Sequence, residues 1–343
     1  MLTIIGIPIG PDTYTTCYYG ALQDSGVRVI KGDFSGRWLL ANRRGVDYLH
    51  LNWPSFMYRE DRSVVVSLKK FVRFVFLLVL TRLCGIRLLW TAHNLYPHDR
   101  NRIAVFDGLG RKILVSLSYR VFAHGKSAAS VVTREIPGVQ GKLVIIPHGN
   151  WIGFYTDDCS RATARARLNI PAEQYIFLSF GTCKEYKNLE YLIKCFQSGP
   201  FGKAALWIVG RFQEAQYAAR VKAQIARQPQ RIVLEDRFVP NDELQYYLKA
   251  CNAIVLAYTD ILTSGSAMLA ISFGRPVIAP RLGHLQDVIN PDCGILYDPS
   301  DDQGLLRAMR DAQGRQFDDA LIRQHARSFE WRDAAMQTIS ALE

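Results

Sequence analysis

No two of the seven cysteines (17, 84, 159, 183, 195, 251 and 293) form a C-x-x-C pair. Their odd number and wide spacing argue against a disulfide framework and against a cysteine zinc site, and they fit a reducing compartment. No D-x-D occurs, so a metal held by paired acidic residues has no obvious ligands, and no H-E-x-x-H helix exists to bind zinc. The turn after the first apolar run is Pro8-Ile-Gly10-Pro11-Asp12-Thr13, not G-x-G-x-x-G, which disfavours a nicotinamide cofactor. HGKS at 124–127 has the ending of a P-loop, but Arg120 stands where its first glycine belongs. Long apolar runs are missing as well. The stretch 67–90 is the most apolar, yet its longest uncharged run, Phe74–Thr81, falls far short of the roughly 20 residues that span a bilayer. The N-terminus has no basic start and no long apolar core, and reads as a first strand rather than a signal peptide.

What is present is the composition of a globular protein: 343 residues, 49% hydrophobic and 21% charged, enough for two ordinary domains. The formal net charge of +11 is unevenly spread. Residues 1–150 hold 20 Lys+Arg against 9 Asp+Glu, whereas residues 151–343 hold 22 of each. The N-terminal half is therefore expected to face something anionic: a membrane surface, a nucleic acid or a phosphorylated substrate.

Short apolar runs recur between helical stretches: 2–7, 27–30, 46–51, 86–92, 119–124 and 143–147, then 175–180, 205–210, 231–236, 252–258, 276–280 and 294–297. Near-continuous apolar strands separated by helices predict parallel sheets covered on both faces. The pattern restarts after a polar stretch ending at Pro171. This predicts an α/β protein of two doubly wound halves, residues 1–150 and 175–320, joined by a linker at 151–174. The segment 67–90 reads first as a buried crossover helix, with an interfacial helix carrying Lys69, Lys70 and Arg73 as the alternative.

Ligands in such sheets sit beyond the carboxyl ends of the strands, where helix N-termini offer free N–H groups. After the run 175–180 comes Gly181-Thr-Cys-Lys184-Glu-Tyr-Lys187, a glycine-started turn with two lysines. After the run 252–258 comes Thr263-Ser264-Gly265-Ser266, in which Thr263 or Ser264 is an N-cap candidate and Gly265 admits a close ligand. Two anion cradles in one sheet point to a nucleoside diphosphate. The N-terminal half offers histidines instead, at 50, 93, 124 and 148, each at a carboxyl strand end. His93 with Asp99 supplies the parts of an acid–base site.

The order of HLNWP (50–54), WTAHNLYPHD (90–99), IPHGNW (146–151), FGTCKEYKNLEYLI (180–193), FVPNDELQYYL (238–248), LTSGSAMLAISFGRPVIAP (262–280) and FEWRDA (329–334) resembles a GT-B glycosyltransferase of the group-1 type. That resemblance implies two Rossmann-like doubly wound domains facing a central cleft, with a last helix, within 321–343, packing back towards the first domain. It implies that Lys187 and Lys184 contact the donor diphosphate on the Gly181 turn, and that Ser264, Gly265 and Ser266 cradle a phosphate or ribose. Arg211 and the backbone around Val239 fall on the nucleotide side, and His93 falls near the transferred sugar, with the turn Gly10–Thr13 bordering donor and acceptor.

One departure stands out. Most retaining members carry two glutamates eight apart, and this chain has Ile261 and Leu269 there. The HNLYPHD and LTSGS variants look more like bacterial glycolipid β-mannosyltransferases of exopolysaccharide assembly, which use GDP-mannose and invert the anomeric centre. The resemblance thus implies a metal-independent transferase without a cofactor, carrying a hexose to a polyprenyl-diphosphate-linked saccharide at an anionic membrane surface. It would be cytoplasmic and peripheral on the inner face of the cell membrane. Asp99, His93 and Asp12 are the candidate bases. Rival readings are a retaining transferase using a UDP-sugar, a nucleotide-sugar epimerase of the same architecture, and a basic nucleic-acid-binding protein. The last lacks any recognition motif, so no nucleic-acid partner is expected.

Overall fold

The computed structural model describes residues 1–8, 13–59, 63–96 and 104–343. The chain divides into two compact units, Met1–Gly149 with Phe329–Glu343, and Asn150–Ser328.

The first unit is a six-stranded parallel sheet in the order β2-β1-β3-β4-β5-β6. Its strands are β1 (Thr3–Ile7), β2 (Arg28–Lys31), β3 (Tyr48–Leu51), β4 (Arg87–Thr91), β5 (Ser118–His124) and β6 (Leu143–Ile146). The helices between them are α1 (Thr13–Asp24), α2 (Gly36–Asn42), α3 (Val64–Leu83), α4 (Ala104–Leu117) and α5 (Lys126–Glu135). Central strands are apolar at nearly every position because helices cover both faces: every residue of β1 and β3 is buried. α3 packs on this unit through Phe71, Phe74, Leu77 and Leu78, as expected of a crossover helix.

The second unit repeats the plan in the order β12-β11-β10-β7-β8-β9, also parallel. It contains α6 (Arg161–Arg167), β7 (Ile176–Phe180), α7 (Leu189–Ser198), β8 (Ala205–Val209), α8 (Ala215–Ala226), β9 (Ile232–Glu235), α9 (Asn241–Ala250) and β10 (Ala253–Val255). These are followed by α10 (Gly265–Ser272), β11 (Val277–Pro280), α11 (Leu285–Val288), β12 (Gly294–Tyr297), α12 (Gly304–Gly314) and α13 (Asp319–Arg327). Its core is centred on Phe177, Phe196 and Phe201, all within 1% of complete burial, and burying each such ring contributes about 1.5–3 kcal/mol.

The stretch 151–174, expected as a linker, is instead stapled into this second unit. The Trp151 backbone N–H donates to Ser272 Oγ (2.9 Å) and its indole N–H to the Gly265 carbonyl (3.1 Å). Arg165 donates to the carbonyls of Ala250 (2.8 Å) and Pro171 (2.7 Å), so a basic side chain satisfies the C-terminal end of α9. Asp157 pairs with Lys249 at 2.5 Å and with Arg323. Polar composition suggested solvation, whereas these charges serve a helix end and half-buried ion pairs.

The last helix, α14 (Trp331–Leu342), belongs to the first unit, while α13 stays with the second. It is held there by Tyr18 Oη with Thr338 Oγ1 (2.7 Å), Tyr48 Oη donating to the Leu342 carbonyl (3.0 Å) and Arg120 Nε donating to the Ala341 carbonyl (2.9 Å).

Candidate active site

In the first unit the carboxyl ends of β3 to β6 bring together the four histidines that the sequence placed at strand ends. His50, His93, His124 and His148 are all buried. Tyr14, from the first turn of α1, is the common neighbour of three of them, while His50 packs against Tyr18 and Tyr19. The Tyr14 ring lies 4.4 Å from that of His93, 5.4 Å from His124 and 5.5 Å from His148. Trp331 of α14 closes the same cluster at 5.2 Å from Tyr14, and Trp53 stacks on His93 at 4.5 Å. A side chain on Gly149 would fall inside the Trp331 indole, which explains the glycine after His148.

A directional chain of hydrogen bonds fixes His93. Asn52 Nδ2 donates to Tyr19 Oη (2.8 Å), Tyr19 Oη meets His50 Nδ1 (3.1 Å), and His50 Nε2 meets Thr91 Oγ1 (2.8 Å). With its amide nitrogen committed to Tyr19, Asn52 presents Oδ1 to His93 Nε2 at 3.0 Å, so that nitrogen carries the proton and donates. Nδ1 of His93 is left as the acceptor. Burial pushes His93 well below the ordinary histidine range, and His148 and His50 reinforce the shift. His50 falls to about 3 and His148 to about 4, both through burial. All three rings are neutral at neutral pH. Asp99 and Asp12 lie outside the described residues, as do His98 and Gly10.

The second unit gathers the residues of the expected anion cradle. Gly181 follows β7 with φ +85°, a left-handed conformation open to glycine, and the Lys187 ammonium lies 3.1 Å from where a Cβ would be. Lys187 is 5% exposed and donates to the Phe180 carbonyl at 2.7 Å. Burial lowers it from 10.5 to about 8, an effect opposed by Cys183 and reinforced by Lys184. Lys184 is half-buried in the same turn. Tyr258, pushed up to about 12 by burial against the opposing effect of Ser266 and Ser264, lies under Lys187 with its ring centroid 6.0 Å from Nζ. Its side chain stands between the two expected cradles.

Ser264 is the N-cap of α10, its hydroxyl accepting from the Ala267 N–H at 3.2 Å, and Gly265 opens the helix with space at its Cα. Arg211 is exposed at the end of β8, and its carbonyl accepts the Cys183 N–H at 2.9 Å. Together with Asp236 and Phe238 it lines an open pocket of about 690 Å³. Val239 is half-buried just ahead of α9. Ile261 and Leu269 are buried at 9% and 5% exposure, so aliphatic packing occupies the positions of the usual glutamate pair.

Tyr14, Tyr19, Asn52, Trp331 and Tyr258 are the participants that sequence reasoning did not single out as site residues. The spacing of Tyr14, Tyr18 and Tyr19 on one face of α1 was the available signal. No group of His, Cys, Asp and Glu among the described residues is arranged to hold a metal ion.

Residues 174–313 match the family model described as Glycosyl transferases group 1. The chain is 28% identical over 307 residues to the GDP-mannose:glycolipid 4-beta-D-mannosyltransferase of Xanthomonas campestris pv. campestris, covering 87% of this chain and 79% of that protein. Among solved structures, a sucrose-phosphate synthase from Thermosynechococcus elongatus superposes with a TM-score of 0.76 at 19% identity, covering 100% of this chain and 98% of the other. Anabaena HepE in complex with UDP-glucose superposes with a TM-score of 0.71 at 15% identity, covering 100% and 99%. The chain has the GT-B fold, carries a group 1 glycosyltransferase domain in its C-terminal unit, and is a glycosyltransferase.

Proposed function

We propose that the enzyme transfers mannose from GDP-mannose to a lipid-linked saccharide in cell-surface polysaccharide assembly, inverting the anomeric centre, at the cytoplasmic face of the membrane. The observation that carries this reading is the 28% identity to a GDP-mannose:glycolipid mannosyltransferase over 87% of the chain, which reaches well beyond the family domain at 174–313 into the N-terminal unit. Buried aliphatic residues at Ile261 and Leu269 support it, because they remove the carboxylates on which the common retaining members of the group rely.

In this mechanism the C-terminal unit holds the nucleoside diphosphate. Lys187, Lys184 and the N-terminus of α10 take up negative charge on the phosphates as the glycosidic bond to mannose breaks, and they stabilise the departing GDP. Arg211 and the backbone at Val239 serve the nucleotide. The acceptor hydroxyl attacks from the opposite face and must lose its proton. His93 is poorly suited as the proton sink, since burial holds its pKa far below neutrality and efficient general bases titrate near the working pH. Its fixed tautomer fits it to hold a sugar hydroxyl through Nδ1. The base is therefore assigned to a carboxylate, Asp99 first and Asp12 second.

The test is transfer from GDP-mannose, compared with UDP-glucose, to a polyprenyl-diphosphate saccharide, with proton NMR of the anomeric coupling of the product. A β-linked mannoside is expected. An α-linked product overturns inversion, and preferential use of the UDP-sugar overturns the donor.

A further inference from the structure

α3 is apolar on two opposite sides. One side, with Phe71, Phe74, Leu77 and Leu78, is buried in the first unit. At 100° per residue, Val65, Leu68, Val72, Phe76, Val79 and Leu83 fall within an arc of about 80° on the other side. All six are exposed, Val72 at 57%, Phe76 at 59% and Leu83 at 79%. Lys69 and Arg73, also exposed, border this arc. α4, which packs beside α3 through stacked Phe71 and Phe106 rings 4.5 Å apart, adds exposed Val105 and Leu109. A continuous apolar stripe of this kind on a soluble domain marks an interaction surface.

We propose that this face of α3 lies in the interface of an anionic bilayer, with its aliphatic and aromatic side chains among the acyl chains and Lys69 and Arg73 at the headgroup phosphates. The assignment rests on the reading of the acceptor as a membrane lipid and extends it by naming the surface that meets the membrane. Charge selects this occupant over a second copy of the chain. Self-association through α3 would bring two halves together that each carry 20 basic against 9 acidic residues, whereas an anionic surface complements them. The helix lies on the bilayer without crossing it, because its other side is committed to the core and no helix among the described residues is long and apolar enough to span.

The test is flotation of the full chain with vesicles of phosphatidylcholine alone or mixed with phosphatidylglycerol, free of acceptor. Wild type is expected to bind the mixed vesicles. Val72→Asp combined with Phe76→Asp should lower the partition coefficient at least tenfold at both low and high salt. Lys69→Gln with Arg73→Gln should lower it roughly tenfold at low salt only, where the electrostatic contribution is unscreened. GDP titration and mannose transfer to a short-chain, water-soluble acceptor should be unchanged in both pairs, which verifies folding; Phe76→Ser is the milder second variant. Unchanged vesicle binding in the aspartate pair and in Phe76→Ser overturns the assignment to α3, as does failure of wild type to bind. A wild-type dimer that the aspartate pair converts to monomer, with vesicle binding intact, overturns it in favour of a second copy. Failure of wild type to transfer mannose to the soluble acceptor counts instead against the proposed function.

Discussion

Replacing Lys187 with methionine removes a charge that the fold resists and that the proposed donor site uses, so the two effects should have opposite signs. Burial lowers this ammonium from 10.5 to about 8. A fall of that size corresponds to about 3 kcal/mol against folding with the lysine charged. Between pH 8 and 10.5 the unfolded chain binds more protons than the native one, so stability should rise with pH across that window and carry the full cost below pH 8. Methionine keeps the unbranched stem but loses the 2.7 Å bond to the Phe180 carbonyl, a loss of about 1.5 kcal/mol for a charged donor. The ligand-free variant should therefore be more stable than wild type by about 1–2 kcal/mol at pH 7.

Donor binding should move the other way. A charge-assisted contact to phosphate is worth about 1.5–3 kcal/mol, so GDP affinity should fall by roughly ten- to a hundredfold, with a smaller loss in Lys184→Ala. Because a diphosphate raises the pKa of its lysine, wild type should take up a fraction of a proton on binding GDP at pH 8.5. Calorimetry in two buffers of different ionisation enthalpy measures that uptake, and the variant should show none. Urea unfolding at pH 7 and pH 10 measures the stability side. A methionine variant that is less stable than wild type yet binds GDP with unchanged affinity would refute the reasoning and make Lys187 a structural strut.

Asp99→Asn is expected to reduce turnover by roughly 10²–10⁴ with donor binding nearly intact, and Asp12→Asn is the comparison; near-wild-type kinetics in both would remove the carboxylate base. His50 and His148, held at about 3 and about 4, accept protons on unfolding, so stability should be lost as pH falls from 6.5 towards 4, by up to about 2.7 kcal/mol per pH unit. The slope in urea unfolding should be shallower in His50→Gln, and an identical slope in the variant sinks that assignment. Gly210, at φ +153°, has the Gly181 carbonyl where a Cβ would go. Gly210→Ala should displace the Gly181 turn, weakening GDP binding and lowering stability by about 1–3 kcal/mol, and an unperturbed GDP titration would contradict it.

Elements governed by local pattern were legible from the residues. Runs such as TIIGI and IFLSF lie in strands because helices on both faces require apolar residues at every position, and Ser264 caps α10 because a hydroxyl before a helical run has an N–H to accept. What depends on distant partners was not legible. The His93 network runs through Tyr19, His50, Asn52 and Thr91, with contacts spanning 31 to 41 residues of chain, and nothing local tells which hydroxyl will face which ring. The same holds for Arg165 and Asp157. A polar segment that satisfies helix ends reads like a solvated linker until the carbonyls of Ala250 and Pro171 are seen to receive its guanidinium.

α3 shows why composition alone could not choose between a core helix and an interfacial one. A crossover helix normally shows an apolar stripe and a polar one, and the phase of that stripe identifies the buried face. In α3 Phe74 and Phe76 are two residues apart and face opposite ways, one buried at 2% exposure and the other open at 59%. The run Phe74–Thr81 therefore has no polar phase to read. The four basic residues of α3, Lys69, Lys70, Arg73 and Arg82, are spread around the helix, so they mark no solvent face along its length either. An outer side that is apolar and lacks a polar stripe is what the proposed bilayer contact would require, with the opposite side held by the protein.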